Sequence, residues 1–160
     1  MDDLLKLLQE NATAPREDLA GQLGISSDEV IERIKQYEKD GVILGYQAIL
    51  DSEKINDNNS ITAVIEVRIT PERGEGFDHL AGRIARFEQV QSCYLVSGGF
   101  DLMVIVHGQS LKEVATFVAK KLSPLSGVVS TCTHFQLKCY KANGFLTEQL
   151  VDEERLAVAP

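Results

Sequence analysis

The chain lacks the marks of several protein classes. No apolar run approaches the roughly 20 residues of a membrane span. The opening MDDLLKLLQE is acidic and amphipathic, unlike a secretion signal or transit peptide. The expected location is therefore the cytoplasm, with no membrane partner. Cysteine is scarce: Cys93, Cys132 and Cys139 are odd in number and form no CxxC. Reduced thiols are expected, rather than a disulfide framework or a zinc site. His79, His107 and His134 are scattered, and no HxxxH or Cys/His ligand spacing joins them, so neither a metal nor another cofactor is expected. No Cys/His, Ser/His or paired-carboxylate constellation at diagnostic spacing marks an enzyme. Positive charge is short as well, and unevenly so. Residues 1–60 hold 6 Lys/Arg against 13 Asp/Glu, a net of −7, whereas residues 61–160 hold 10 against 11, a net of −1.

What is present begins with three short helical segments. Leu4, Leu5, Leu7 and Leu8 form an apolar stripe that Asn11 and Thr13 end. Pro15 suits the first turn of a second helix, where its missing N–H would lack a partner anyway. That helix, REDLAGQLG, turns Leu19, Ala20 and Leu23 inward and stops at Gly24. Ser26 and Glu29 then read as an S-x-x-E capping box. The third helix runs to about Asp40 and ends at Gly41. Val30, Ile34 and Tyr37 lie within about 60° of one another at roughly 100° per residue, so they face a core. Two helices joined this tightly make a helix-turn-helix. VILGYQAIL reads as a wing and exit strand. The polar, turn-rich DSEKINDNNS, residues 51–60, marks a linker between a first domain, 1–50, and a second, 61–142.

The second half has a different rhythm. ITAVIEVRIT alternates as a strand, with Ile61, Ala63, Ile65, Val67 and Ile69 on one face. GFDHLAGRIARF places Phe77, Leu80, Ile84 and Phe87 at helical spacing. VQSCYLVS and FDLMVIVHG are strands around Gly98-Gly99. LKEVATFVAKKL turns Leu111, Val114, Ala115, Val118 and Leu122 to one side, and VVSTCTHFQLKCYK is a last long strand. The fold class is α+β: a winged helix-turn-helix followed by a ferredoxin-like βαββαβ domain. Such a sheet leaves one face bare. Val129, Phe135 and Leu137 fit the helix side; Met103, Ile105, Cys132, His134 and Tyr140 fit the other. A bare apolar and polar face calls for a partner, most simply a second copy related by two-fold symmetry. The tail, residues 143–160, closes on an apolar run suited to an added edge strand.

These features together resemble the Lrp/AsnC family of feast/famine transcription regulators. The resemblance covers nearly the whole chain. It rests on LAGQLGIS, on Val30, Arg33, Ile34, Glu38 and DGVILGYQAIL, and on VSGGFDLMVIV. It rests also on Ser126-Gly127-Val128, Thr131/Thr133 and Lys138–Tyr140–Lys141. Tyr37 stands where leucine is usual. The family's G-D-x-D loop appears here as Gly98-Gly99-Phe100-Asp101, and Ile31 stands where a small hydroxyl residue is common. The resemblance implies a regulator that binds double-stranded DNA and a C-terminal RAM-type domain that dimerises through its sheet. It also implies a small effector, typically an amino acid, held between subunits. A homodimer is the basic assembly, with a tetramer or octamer as further ones. Some proteins of this layout resemble sirohaem decarboxylases, but no matching motif occurs.

The third helix carries two readings. In one, Ser27, Asp28, Ile31, Glu32 and Lys35 lie along the major groove, where a carboxylate can accept from cytosine N4 and an apolar side chain can touch a thymine methyl. Arg16, Arg33, Lys35 and Lys39 would then anchor phosphates. In the other, Asp28 and Glu29 complement the helix dipole, Glu32 pairs with Lys35 or Gln36, and Arg33 pairs with Glu29 or Glu38. The acidic first half also admits a metabolite sensor that pairs with a paralogue and no longer binds DNA. The loop Ser97-Gly98-Gly99-Phe100-Asp101 is either a backbone nest for an effector carboxylate, with Asp101 holding the ammonium, or a plain hairpin turn. Thr131 and Thr133 read as strand packing; the resemblance adds them to the effector site.

Overall fold

The computed structural model describes residues 1–51, 54–55, 60–71 and 76–147. The chain divides into two compact units, Met1–Ala48 and Ile49–Pro160.

The first unit holds α1 (Asp3–Glu10), α2 (Arg16–Leu23) and α3 (Ser27–Lys39). Each helix is bounded by local chemistry. Asp2 caps α1 by accepting from the Leu4 N–H at 2.8 Å. Gly24, at φ 67°, ends α2 in the left-handed region that glycine adopts without steric cost. Ser26 caps α3, its Oγ accepting from the Glu29 N–H at 3.2 Å. Only the serine half of the capping box is described, because Glu29 Oε1 accepts instead from Arg33 Nη2 at 2.6 Å. Leu4, Leu8, Leu19, Ala20, Val30 and Ile34 form the core, with Leu7, Leu23, Ile25, Tyr37 and Ile43 packed against it. Burial, then the charge and hydrogen bonding of Asp2, push the Tyr37 phenol up. The tyrosine thus packs its ring like the usual leucine while its hydroxyl reaches the start of α1. After α3 the expected wing strand does not form. The N–H groups of Val42 and Ile43 both donate to the Tyr37 carbonyl, at 2.9 and 3.1 Å. Beyond them residues 44–50 join no ladder among the described residues. Leu44 is 94% exposed, so its side chain makes little contact with the described residues.

The second unit contains β1 (Ile61–Ile69), α4 (Asp78–Ala85), β2 (Val90–Leu95), β3 (Leu102–Gly108), α5 (Leu111–Phe117) and β4 (Val128–Phe135). α5 continues as a π-helical turn over Val118–Leu122. The sheet order is β2-β3-β1-β4 with every neighbour antiparallel, the ferredoxin-like arrangement. Alternate residues Ala63, Ile65, Val67 and Ile69 of β1 and Leu102, Val104 and Val106 of β3 face the helices. There they meet Leu80, Ile84, Val114, Phe117 and Leu122. Phe87 and Phe117 close the core edge to face, centroids 5.5 Å apart.

The structure corrects several expected positions. On α5 and its π-helical continuation the inward residues are Val114, Phe117, Val118 and Leu122, whereas Leu111, at the first turn, is 55% exposed and Ala115 is also exposed. A register shift at Arg68/Ile69 pairs Ile69 with Val128, so Val128 packs on the core and Val129 is turned out. β4 ends at Phe135, which leaves Leu137 96% exposed rather than under the helices and Tyr140 beyond the strand. In place of a continuous last strand, Lys141–Ala142 (β5) and Phe145–Leu146 (β6) form a small hairpin. Asn143 and Gly144 make its turn with φ 47° and 94°, both central residues being at positive φ as a type I′ turn requires. The apolar end of the tail lies outside the described residues.

Candidate functional site

The outward face of α3 is set by what its inward face buries. With Val30 and Ile34 committed to the core, Asp28, Ile31, Glu32, Lys35 and Lys39 are exposed and Ser27 and Arg33 are half-buried. Asp28, Glu32, Lys35 and Lys39 have no hydrogen-bond or ion-pair partner among the described residues. Gln36 does not pair with Glu32: its Nε2 donates to both Asp40 carboxylate oxygens at 2.8 Å. Arg33 takes the partner role, 2.6 Å from Glu29 and 4.0 Å from Asp2. It thereby braces α3 against the start of α1. The Arg16 guanidinium is also turned partly inward, its Nη1 buried without a hydrogen-bond partner among the described residues. Nearby, the Tyr46 hydroxyl donates to Glu38 at 3.0 Å; burial, then the Glu38 contact, push that phenol up. Of the four expected phosphate anchors, Lys35 and Lys39 therefore remain wholly available.

The loop between β2 and β3 is tied down by one residue. Asp101 Oδ2 accepts from the Ile69 N–H at 2.8 Å. Its own N–H donates to the Val67 carbonyl at 3.1 Å, and its carbonyl accepts from Val96 at 2.9 Å. One oxygen of this half-buried carboxylate is thus committed to the end of β1. Ser97, Gly98 and Gly99 are exposed and Phe100 is half-buried. Neither glycine has a positive φ, so the pair does not make the alternating-handed nest that would converge N–H groups on an anion. Thr131 and Thr133 pair with Val67 and Ile65, which puts both on the helix side of β4. Thr131 Oγ1 lies 3.3 Å from Ser123 Oγ. The loop and Thr131 therefore share one end of the sheet, while Thr133 lies further along.

The bare sheet face was legible in part. Val64, Glu66, Met103 and Ile105 line it with Cys132 and His134, as the alternation on β3 and β4 predicts. Its one described cross-strand ion pair, His134 Nε2 to Glu66 Oε1 at 3.1 Å, was not legible, because strand register decides it.

Similarity to known proteins agrees with both units. The AsnC-type helix-turn-helix domain matches residues 3–38, and the Lrp/AsnC ligand binding domain matches residues 62–145. The HTH-type transcriptional regulator YugG of Bacillus subtilis is 46% identical over 158 residues, spanning 99% of this chain and 95% of that protein. The leucine-responsive regulatory protein of Haemophilus influenzae is 30% identical over 143 residues, 89% of this chain and 85% of its own. A Neisseria meningitidis transcriptional regulator solved in complex with L-methionine superposes with a TM-score of 0.67 at 25% identity, covering 89% of this chain and 93% of its own. The fold, the two matched domains and the full-length identity together establish that the chain belongs to the Lrp/AsnC family of transcription regulators.

Proposed function

We propose that this regulator binds double-stranded DNA as a homodimer or larger assembly, through α3, and that a small effector bound between subunits modulates it. The observation that carries the reading is the unpaired outward face of α3, where Lys35 and Lys39 stand beside Ser27, Asp28, Ile31 and Glu32. Lys35 and Lys39 contact phosphate, with Arg16 adding to them once its side chain turns outward. Arg33 holds the helix in place through Glu29. Ile31 and the two carboxylates supply base contacts to thymine methyl and cytosine N4. So few cations give weak binding per domain, and linking several domains raises affinity through effective concentration. The bare sheet face supplies the dimer contact, and a tetramer or octamer would extend the array.

The effector is an amino acid, by analogy with the L-methionine complex of the Neisseria relative. It would lie against Ser97, Gly98, Gly99 and Phe100 at the sheet end near Thr131, with Thr133 further in. Asp101 acts mainly by holding that loop. The protein works in the cytoplasm and catalyses no reaction.

Fluorescence anisotropy of the full chain with DNA from upstream of its own gene, across a salt series with and without pooled amino acids, tests this. Binding that falls steeply with salt and shifts with an amino acid is expected. Absence of binding at low salt would refute DNA reading by this helix and favour pairing with a paralogue.

A further inference from the structure

We propose that the bare sheet face carries a transition-metal site built from Glu66, Cys132 and His134 and suited to zinc. The strand register creates it. Cys132 and His134 are two residues apart on β4, so both point to the same side, and Glu66 of β1 is the direct partner of Cys132. The Glu66 carboxylate, the Cys132 Sγ and a ring nitrogen of His134 all lie within 4.8 Å of one another. Zinc bonds to sulfur at about 2.3 Å and to nitrogen or oxygen at about 2.0–2.2 Å, so tetrahedral ligands sit roughly 3.4–3.7 Å apart. Side-chain rotations moving each donor by about 1 Å would meet that geometry.

The donor set selects the ion. Magnesium and calcium take oxygen ligands, whereas one thiolate, one imidazole and one carboxylate suit zinc or its cobalt and copper neighbours. Three protein donors leave the fourth position for water. The bland alternative is that His134 and Glu66 simply share their 3.1 Å contact and Cys132 is a bystander. None of the three belongs to the proposed DNA or effector contacts, but they line the sheet face assigned above to the dimer contact, so the site would lie at that contact; metal binding is read independently of DNA binding, and either can fail without the other.

Cobalt titrated into the chelator-stripped full chain separates the two. Stoichiometric binding with visible d–d bands and a thiolate-to-cobalt charge-transfer band is expected, and zinc should bleach both. C132S should abolish the charge-transfer band, while C139S should keep it. H134A should weaken zinc by more than the roughly 10- to 100-fold typical of losing an outer-shell partner. It serves as the second test if C132S does not fold, as judged by circular dichroism. No cobalt spectrum, a thiolate band that survives C132S, or unchanged zinc affinity in folded H134A would overturn the site.

Discussion

Replacing Asp101 with alanine should loosen the whole sheet unit. The substitution keeps both backbone bonds of residue 101 and removes the carboxylate that accepts from the Ile69 N–H at 2.8 Å. Ile69 is only 5% exposed, so its N–H is left with poor access to water. A hydrogen bond to a charged group contributes about 1.5–3 kcal/mol. Asp101 is half-buried, which favours the lower end of that range. Each kcal/mol shifts the Tm of a domain this size by roughly 4–8 °C, so a fall on the order of 10 °C is expected. Asp101→Asn keeps an acceptor oxygen without the charge. It should lose about half as much, because charge-assisted bonds are roughly twice as strong as neutral ones. The assay is thermal unfolding by circular dichroism at fixed protein concentration, since the Tm of an oligomer depends on concentration. An unchanged Tm in D101A would refute the tether. If both variants lost effector response at wild-type Tm, the carboxylate would be an effector ligand instead.

Other outcomes follow from the same geometry. Ser26→Ala should cost about 1 kcal/mol in urea unfolding of the first unit, through loss of the bond to the Glu29 N–H. Gly127→Ala should destabilise the second unit by about 1–3 kcal/mol. Its φ of 93° disfavours a side chain, and an added Cβ would lie 3.0 Å from Leu80 Cδ2. Lys35→Ala and Lys39→Ala should each reduce the salt slope of DNA binding by about one and weaken binding similarly on all sequences. Arg33→Ala should leave that slope unchanged if Arg33 only braces the helix through Glu29, a comparison the same anisotropy series provides.

Local pattern alone determined much of this protein. Helix periodicity located Val30 and Ile34, and strand alternation located Ala63, Ile65 and Val67. Gly24 and Gly41 stopped their helices as left-handed residues do. Two further local signals were equally present in the chain: Asn143-Gly144 as a hairpin turn, and Ser110 with Glu113 as the cap of α5. These features depend on neighbours a few residues away, which a sequence displays directly. Tertiary structure decided whatever depends on partners distant in the chain. The register shift at Arg68/Ile69 exchanged Val128 for Val129 in the core. The carboxylate of Asp101 was claimed by Ile69, 32 residues away, and Arg33 reached Asp2 as well as its helix neighbour Glu29. Glu66 met Cys132 and His134 only because β1 pairs with β4. Periodicity says which face a side chain takes; the register of pairing and the competition for each donor and acceptor say what it touches there.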